Sequence, residues 1–250
     1  MQTAGGANQL ELRIDAKSHI SSDGAHVEAV RGFHLRLDAG AFGVLFGPSG
    51  CGKTTILHIA AGLDPNFTGS RHIPSPGRLG IVFQEPRLLP WRTVADNIRL
   101  VLPAQESLEG LSDLIETLGL GSHLTRYPGE LSLGLARRTA IARAFAVRPD
   151  FLLLDEPFVS LDAAVAARLR EELIVLTARD KITTLMVTHD LNDAIQLADR
   201  LFFLSTRPAT IVAELPLPPP RGSRSPEVTA RIVAELKTLV PEHAAGLSRG

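Results

Sequence analysis

The sequence predicts an α/β fold built around a mainly parallel sheet, and three features support this prediction. Short unbroken apolar runs recur along the chain, as expected of strands that are buried on both faces. Segments with helical spacing separate most of these runs, and a glycine-rich segment follows the first of them directly. The apolar runs are residues 44–46, 81–83, 151–154, 185–187 and 201–204.

The composition limits the class of protein. The chain has 250 residues, of which 44% are hydrophobic, and this suits a globular protein with a sizeable core. The formal net charge of −1 gives no global basic field of the kind that attracts nucleic acid or an anionic membrane. No apolar run approaches the roughly 18 residues that cross a bilayer, and no signal peptide is visible. Cys51 is the single cysteine, so an internal disulfide is excluded and a cytosolic protein is expected.

The first 46 residues are expected to contain antiparallel strands before the first buried one. Apolar residues alternate with polar ones at positions 10, 12 and 14 and again at 33, 35 and 37, which is the period of half-exposed strands. The dipeptides Asp23-Gly24 and Ala39-Gly40 are turn signals between these segments.

The glycine-rich segment matches the phosphate-binding pattern G-x-x-x-x-G-K-[ST]. Its glycines allow the backbone to curl so that successive N–H groups point at phosphate oxygens, and the N-terminus of a following helix adds a favourable dipole. Lys53 is expected to reach the β- and γ-phosphates, and the Thr54 hydroxyl to ligate Mg²⁺. The alternative is a glycine-rich turn with a surface lysine. The predicted nucleotide-binding residues here are Gly47, Pro48, Ser49, Gly50, Cys51, Gly52, Lys53, Thr54 and Thr55.

Four of the apolar runs lead into residues suited to nucleotide chemistry. These residues are Gly47, Gln84, the pair Asp155 and Glu156, and the pair Thr188 and His189. In an open α/β sheet the ligand lies beyond the carboxyl ends of the strands, so the four groups are expected at one edge. Asp155 is expected to hold Mg²⁺, Glu156 to polarise the attacking water and His189 to contact the γ-phosphate. The alternatives are two solvent-facing carboxylates and a structural histidine.

Residues 87–150 contain helical spacing and no strand signal, which predicts a helical insertion into the sheet domain. The segments with helical spacing are 93–102, 112–118 and 135–147. The last of them is expected to carry a basic face formed by Arg137, Arg138 and Arg143.

The prolines at 216 and 218–220 exclude a helix or a central strand there. We therefore expect a sheet domain at 1–215, followed at 216–250 by a proline-rich linker and a helical tail. Residues 227–240 are expected to form one amphipathic helix.

Six short motifs, spread between residues 10 and 213, resemble in order and spacing those of ABC-transporter ATPase subunits. They are residues 47–55, Gln84, residues 131–134, residues 151–157, residues 160–162 and residues 188–190. The resemblance implies a P-loop NTPase (RecA-like) core with a mainly parallel sheet, an antiparallel β subdomain and the helical subdomain inserted at about 87–150. It also implies a dimer, expected to be a homodimer, in which each ATP lies between one subunit's phosphate loop and the other's signature segment.

The same match assigns roles to individual residues. Gln84 is implied to sense Mg²⁺ and the lytic water, Glu156 to be the general base and His189 to be the switch histidine. The implied Mg²⁺ ligands are Thr54, Gln84 and Asp155. Ser132 and Gly134 of the signature, with Asp162 of the D-loop, are implied to contact nucleotide.

The sequence departs from the family pattern in two places. The signature, usually Leu-Ser-Gly-Gly-Gln, has leucine at positions 133 and 135, which affects the expected hydrolysis rate more than ATP binding. The aromatic residue that commonly stacks on adenine is missing near positions 17–22. His19 is the nearest substitute, and Ile20 is the alternative.

Residues 83–94 resemble the importer subfamily for nitrate, aliphatic sulfonates and taurine. The resemblance places Leu88-Leu89-Pro90-Trp91 where the permease docks, with Trp91 as an anchor. The alternative is that Trp91 packs within the helical insertion.

The resemblance implies an ATPase subunit of an importer, peripheral at the cytoplasmic face of the inner membrane through transmembrane permease subunits. A solute-binding protein is an indirect partner, and nucleic acid is not expected as one. One alternative is a nucleotide-binding regulator with weak hydrolysis, motivated by Leu133 and Leu135. An ATPase acting on DNA or ribosomes and half of an exporter are further alternatives, which usually carry extensions that this sequence lacks.

Overall fold

The computed structural model describes residues 9–20, 24–73, 77–103, 106–218, 220–222 and 224–240. In this part of the chain, the strands are β1 (Leu10–Ile20), β2 (His26–Leu37), β3 (Phe42–Phe46), β4 (Thr68–His72), β5 (Leu79–Val82), β6 (Phe151–Asp155), β7 (Thr183–Thr188), β8 (Arg200–Leu204) and β9 (Ile211–Pro216). The α-helices are α1 (Lys53–Ala61), α2 (Val94–Arg99), α3 (Ser112–Thr117), α4 (Leu133–Ala146), α5 (Ala163–Arg179), α6 (Leu191–Leu197) and α7 (Pro226–Leu239). Some predicted features lie outside the described residues, namely residues 1–8, Asp23 of the first turn, Pro219 and residues 241–250 of the tail.

A six-stranded sheet forms the centre of the molecule. Its strand order is β5-β6-β7-β3-β8-β9, and every neighbouring pair is parallel except β8-β9, which is antiparallel. Side chains of β3 alternate between two hydrophobic clusters on opposite faces of the sheet. The first hydrophobic cluster contains Val44, and the second contains Leu45. The predicted α/β class with a mainly parallel sheet is therefore confirmed.

The expectation that every apolar run is buried on both faces is correct for β3, β6 and β7, whose residues are all buried. It is wrong for β5, in which Leu79 and Ile81 are only half-buried. The reason is that β5 is an edge strand with a neighbour on one side only.

The register of the parallel strands brings their carboxyl ends level with one another. Phe46 at the end of β3 pairs with Thr188 at the end of β7. Asp155 at the end of β6 pairs with Val187, and Val82 at the end of β5 pairs with Leu154. The residues that follow these four strands consequently emerge at the same edge.

A three-stranded antiparallel sheet with the order β2-β1-β4 packs beside the central sheet. The predicted alternation is confirmed, since Leu10, Leu12 and Ile14 are fully buried among the residues of the second hydrophobic cluster. The predicted turn at Ala39-Gly40 is also present, and Gly40 has a φ of +74°.

Residues 87–103 and 106–150 contain helices and loops but no strand. Besides α2, α3 and α4, this part has short 3-10 helices at Leu108–Leu111, Gly121–His123 and Pro128–Glu130. Helix α2 ends at Arg99 and is therefore shorter than the predicted segment 93–102. The part is held against the central sheet through α4, because a Cβ at Gly80 of β5 would lie 2.6 Å from the backbone oxygen of Ala144.

Helix α4 does not have the predicted basic face. Arg137 and Arg138 are buried, and Arg143 is half-buried. The physical reason is that Arg138 shares an apolar stripe with Ile141 and Phe145 at i, i+3 and i+7, so its side chain is carried into the interior.

The C-terminal part of the chain is packed on the central sheet. Strand β9 ends at Pro216 on the edge of the sheet, in agreement with the exclusion of a central strand by the prolines. Helix α7, predicted at 227–240, begins at Pro226 and buries Ile232 and Leu236 in the first hydrophobic cluster. Among the described residues, no helix combines the length and the apolar character that crossing a bilayer requires.

Candidate active site

The glycine-rich segment forms a tight loop between β3 and α1. Gly50 and Gly52 have φ values of +75° and +128°, which residues with a Cβ rarely adopt. A Cβ at Gly52 would also lie 2.9 Å from the backbone oxygen of Ala29. Helix α1 begins directly afterwards at Lys53, so its N-terminus faces the loop as an anion site requires.

Lys53 lies at the centre of this loop, and only 5% of its surface is exposed. Its Nζ donates hydrogen bonds to the backbone oxygens of Gly47 at 2.7 Å and Pro48 at 3.0 Å. The same atom lies 3.8 Å from Oε1 of Glu156. The ammonium group is therefore held inside the curl of the loop.

Thr54 and Asp155 supply two adjacent oxygens at the same edge. The Thr54 hydroxyl donates to Oδ1 of Asp155 at 3.3 Å. Burial raises the pKa of the Asp155 carboxyl, and the hydrogen bond from Thr54 opposes this effect. A cation placed beside such a buried carboxyl group would stabilise its ionised form.

Glu156 and His189 form the third part of the site. Nδ1 of His189 lies 2.9 Å from Oε2 of Glu156, and the glutamate side chain is 14% exposed. Glu156 has a φ of +44°, a left-handed conformation that costs a non-glycine residue about 1–3 kcal/mol. Its amide donates to the backbone oxygen of Val187 at 3.0 Å, which ties the strained residue to the neighbouring strand.

Gln84 completes the group of strand-end residues that the structure brings together. It is exposed and lines a cavity of about 470 Å³ with Thr54 and Asp155. Leu133 and Arg137 of α4 line the same cavity.

Three predicted site residues are not brought to the phosphate loop. Ser132 and Gly134 line a separate cavity of about 320 Å³ between α4 and α5. Oγ of Ser132 accepts a hydrogen bond from the amide of Leu135 at 3.3 Å and so caps α4. Oδ1 of Asp162 accepts from the amide of Val165 at 3.0 Å and caps α5. Within one subunit these side chains therefore serve as helix caps.

Of the two candidates for the adenine platform, His19 contacts the phosphate loop. Its Nε2 lies 3.3 Å from Oγ1 of Thr55, at the end of the phosphate loop. Ile20 is 70% exposed. The stacking residue stays a prediction.

Several residues that support the site were missed at the level of sequence. Arg143 donates to the backbone oxygens of Pro86 at 3.0 Å and Arg87 at 2.9 Å, which fixes the loop after Gln84. Arg137 donates to backbone oxygens in the turn that begins at Glu156. The sign available in the sequence was that these arginines stand among the apolar residues of the segment that forms α4.

A buried ion pair supports the segment after His189. Asp193 of α6 pairs with Arg170 of α5. Burial and the charge of Asp190 raise the pKa of Asp193 to about 6, and the hydrogen bond from Arg170 opposes this shift. The pair ties the start of α6 to α5.

Comparisons with known proteins show what this chain is similar to. The family model described as ABC transporter matches residues 30–159. An aliphatic sulfonates import ATP-binding protein, SsuB 1 of Pseudomonas syringae pv. syringae, is 41% identical over 92% of this chain and 94% of its own length. The nitrate import ATP-binding protein NrtC of Synechocystis is 41% identical over 80% of this chain and 32% of its own length. A solved dimer of the ATP-binding cassette MJ0796, bound to ADP and Pi, covers 84% of this chain and 99% of its own with a TM-score of 0.70 and 25% identity.

Proposed function

The chain belongs to the ABC transporter family of ATP-binding proteins, and from that premise we propose that it hydrolyses ATP to energise a membrane permease that imports a small solute anion. A sulfonate, taurine or nitrate is the proposed kind of solute, because the relatives named above import sulfonates and nitrate. The main support for ATP hydrolysis is that Lys53 and His189 both approach the Glu156 carboxylate. Nζ of Lys53 lies 3.8 Å from Oε1, and Nδ1 of His189 lies 2.9 Å from Oε2.

The proposed roles follow from the chemistry of each group. The phosphate loop and Lys53 bind the β- and γ-phosphates of ATP, since backbone N–H groups and an ammonium both suit anions. Glu156 accepts a proton from the attacking water as general base. His189 holds the carboxylate and lies where it can contact the γ-phosphate.

Mg²⁺ is the proposed metal, bound by Thr54, Asp155 and Gln84. Hydroxyl, carboxylate and amide oxygens are the ligands that Mg²⁺ prefers, and it usually shares its coordination with substrate phosphates. The described residues contain no group of three or more His, Cys, Asp and Glu placed to hold a metal ion. The donor set of Thr54, Asp155 and Gln84 fits a cation that arrives with the nucleotide and neutralises its phosphates.

A second copy of the chain is the proposed partner that completes the ATP site. Ser132 and Gly134 line a different cavity from Thr54 and Asp155, although Leu133 between them lines the cavity of Thr54 and Asp155, so one subunit does not bring the Ser132 hydroxyl to its own phosphate loop. The N-terminus of α4, capped by Ser132, is proposed to face the γ-phosphate held by the other subunit, with Asp162 at the same interface. The solved MJ0796 cassette bound to ADP and Pi is likewise dimeric.

The proposed permease contact is the loop around Trp91, a side chain that is 69% exposed. Buried Asn97 fixes this loop: its Oδ1 accepts from the amide of Leu89 at 2.8 Å, and its Nδ2 donates to the backbone oxygen of Arg92 at 3.0 Å. An exposed tryptophan on a loop held this firmly suits an anchor in a protein interface. Through this contact the chain is proposed to sit at the cytoplasmic face of the membrane, while a separate solute-binding protein selects the solute.

Replacing Trp91 with alanine is expected to weaken binding to the permease by about 30-fold, because a buried tryptophan anchor contributes about 2 kcal/mol or more. The measurement is titration of the chain against the permease in detergent or nanodiscs. Leu63→Ala removes a comparably exposed apolar side chain, 57% exposed, and is the matched control with unchanged affinity. Equal affinity of the Trp91→Ala variant and the native chain would exclude Trp91 as an anchor.

The experiment that tests the proposed function is phosphate release by the purified chain, with and without its permease. An ATPase subunit is expected to release phosphate from Mg²⁺-ATP at a rate that the permease increases. Leucines at 133 and 135 favour the second candidate, a nucleotide-binding regulator with weak hydrolysis. Negligible release under both conditions, together with measurable ATP binding, would favour the regulator.

A further inference from the structure

We propose that Arg137 is a positioning residue that holds the Glu156 carboxylate in place for hydrolysis, an inference that rests on the proposed function. Arg137 lies on α4 and is 3% exposed. Nη1 of its guanidinium donates to the backbone oxygen of Glu156 at 3.4 Å, and Nη2 donates to that of Val159 at 3.0 Å. The two accepting carbonyls lie at opposite ends of the turn 156–159, so one rigid group spans it.

The turn needs such support because its backbone is strained. Glu156, the first residue of the turn, has a φ of +44°, and Ser160, the residue directly after the turn, has a φ of +62°. Neither residue is glycine. Residues held in this region relax unless their surroundings determine their conformation. The amide of Val159 donates to the oxygen of Glu156 at 3.3 Å, but this bond lies within the turn and cannot fix it against the rest of the fold. From outside the turn, the Val187 oxygen accepts from the Glu156 amide at 3.0 Å, and Arg137 is the contact that also holds the far end of the turn, at Val159.

The placement of this guanidinium is costly, and it lies beside the groups proposed to react. Burial lowers the pKa of Arg137, and the nearby charge of Glu156 opposes this effect. Among the described residues, its Nε atom has no hydrogen-bond partner. A buried cation with an unpaired donor is less favourable than an apolar side chain of similar length. Arg137 also lines the cavity that contains Thr54 and Asp155, so this unfavourable burial of charge occurs beside the groups proposed to react.

The first test is the effect of Arg137→Met on steady-state ATP hydrolysis. The variant is expected to lower kcat by about 10- to 100-fold, because small misplacements of a catalytic group reduce rates by such factors. KM for ATP is expected to stay within about twofold, because the hydrogen bonds of Arg137 go to the turn 156–159 and not to the phosphate loop or α1. A kcat within about twofold of the native value in a folded variant would overturn the proposal, as would an equal loss in kcat and ATP affinity.

The matched control is Arg224→Met. Arg224 is also buried, at 7% exposure, and also donates to backbone oxygens, those of Pro218, Ile195 and Ala198. It lies away from the strand-end residues, so its loss is expected to lower the melting temperature and leave kcat unchanged. An equal fall in kcat for both variants would assign the effect of Arg137 to general destabilisation and overturn the proposal.

The second test asks whether Arg137 acts through Glu156. In a Glu156→Gln background, Arg137→Met is expected to cause no further loss in the slow residual hydrolysis, since the group that it positions is already gone. A full additional loss would show independent action and overturn the proposal. Arg137→Gln keeps one NH2 group as a donor and is expected to have an intermediate kcat, which provides the test if Arg137→Met does not fold. Absence of hydrolysis by the native chain would contradict the proposed function itself, whereas equal rates in the native and Arg137→Met chains contradict only the inference.

Discussion

Replacing Glu156 with glutamine is expected to slow ATP hydrolysis by about 100- to 10,000-fold, the range that a positioned general base contributes. The amide cannot accept the proton of the attacking water, but it has nearly the shape of the carboxylate and can still bond to His189. ATP affinity is expected to remain or increase, because one negative charge is removed 3.8 Å from the Lys53 ammonium. ATP would then hold the two subunits together without being consumed.

Two measurements check this expectation. Phosphate release reports the loss of hydrolysis, and size-exclusion chromatography with Mg²⁺-ATP reports a dimer that persists. Glu171→Gln removes one exposed carboxylate from α5 and is the control for net charge, with native turnover expected. Undiminished turnover in the Glu156→Gln variant would remove Glu156 from the mechanism.

Replacing Lys53 with methionine is expected to weaken ATP binding by about 10- to 100-fold, because a charge-assisted hydrogen bond contributes about 1.5–3 kcal/mol. Hydrolysis at saturating ATP should fall by at least about 100-fold, since charge on the transferring phosphate grows in the transition state. The loop loses the two hydrogen bonds from Lys53 to Gly47 and Pro48, but its path should persist because Gly50, Gly52 and the start of α1 are unchanged.

Equilibrium binding of a fluorescent ATP analogue and phosphate release together measure both effects. Lys181→Met removes the same charge from an exposed residue just before β7, at the opposite edge of the sheet, and should behave as the native chain does. Native ATP affinity in the Lys53→Met variant would contradict the assignment of the phosphate loop.

The strands that define the site were predictable because strands buried on both faces contain runs of apolar residues, which are visible in the sequence. β3, β6 and β7 each contain an unbroken apolar run, at residues 44–46, 151–154 and 185–187, and Gly47, Glu156 and His189 stand out just beyond the carboxyl ends of these strands. The rule that ligands bind beyond those ends then predicts one edge for all of them. The parallel register explains why this rule works here, since the strands end level with each other.

Other elements leave no such mark. All five residues of β4, Thr68–His72, are exposed, and the strand exists through its backbone pairing with β1. The burial of Arg137 and Arg138 depends on how α4 packs, which charge alone does not reveal. Ser132 and Gly134 line a cavity separate from that of Thr54 and Asp155, so a single subunit does not bring the Ser132 hydroxyl to its own phosphate loop.

The left-handed backbone of Glu156 has a consequence for how this chain can evolve. Glycine would adopt the conformation without strain but would remove the carboxylate, and any side chain without a basic group bears the strain without supplying a base. Selection for thermal stability alone would therefore favour glycine at position 156, whereas selection for turnover maintains glutamate. Stability and turnover are thus opposed at this one residue, and lineages that keep glutamate there must recover the lost stability elsewhere in the fold.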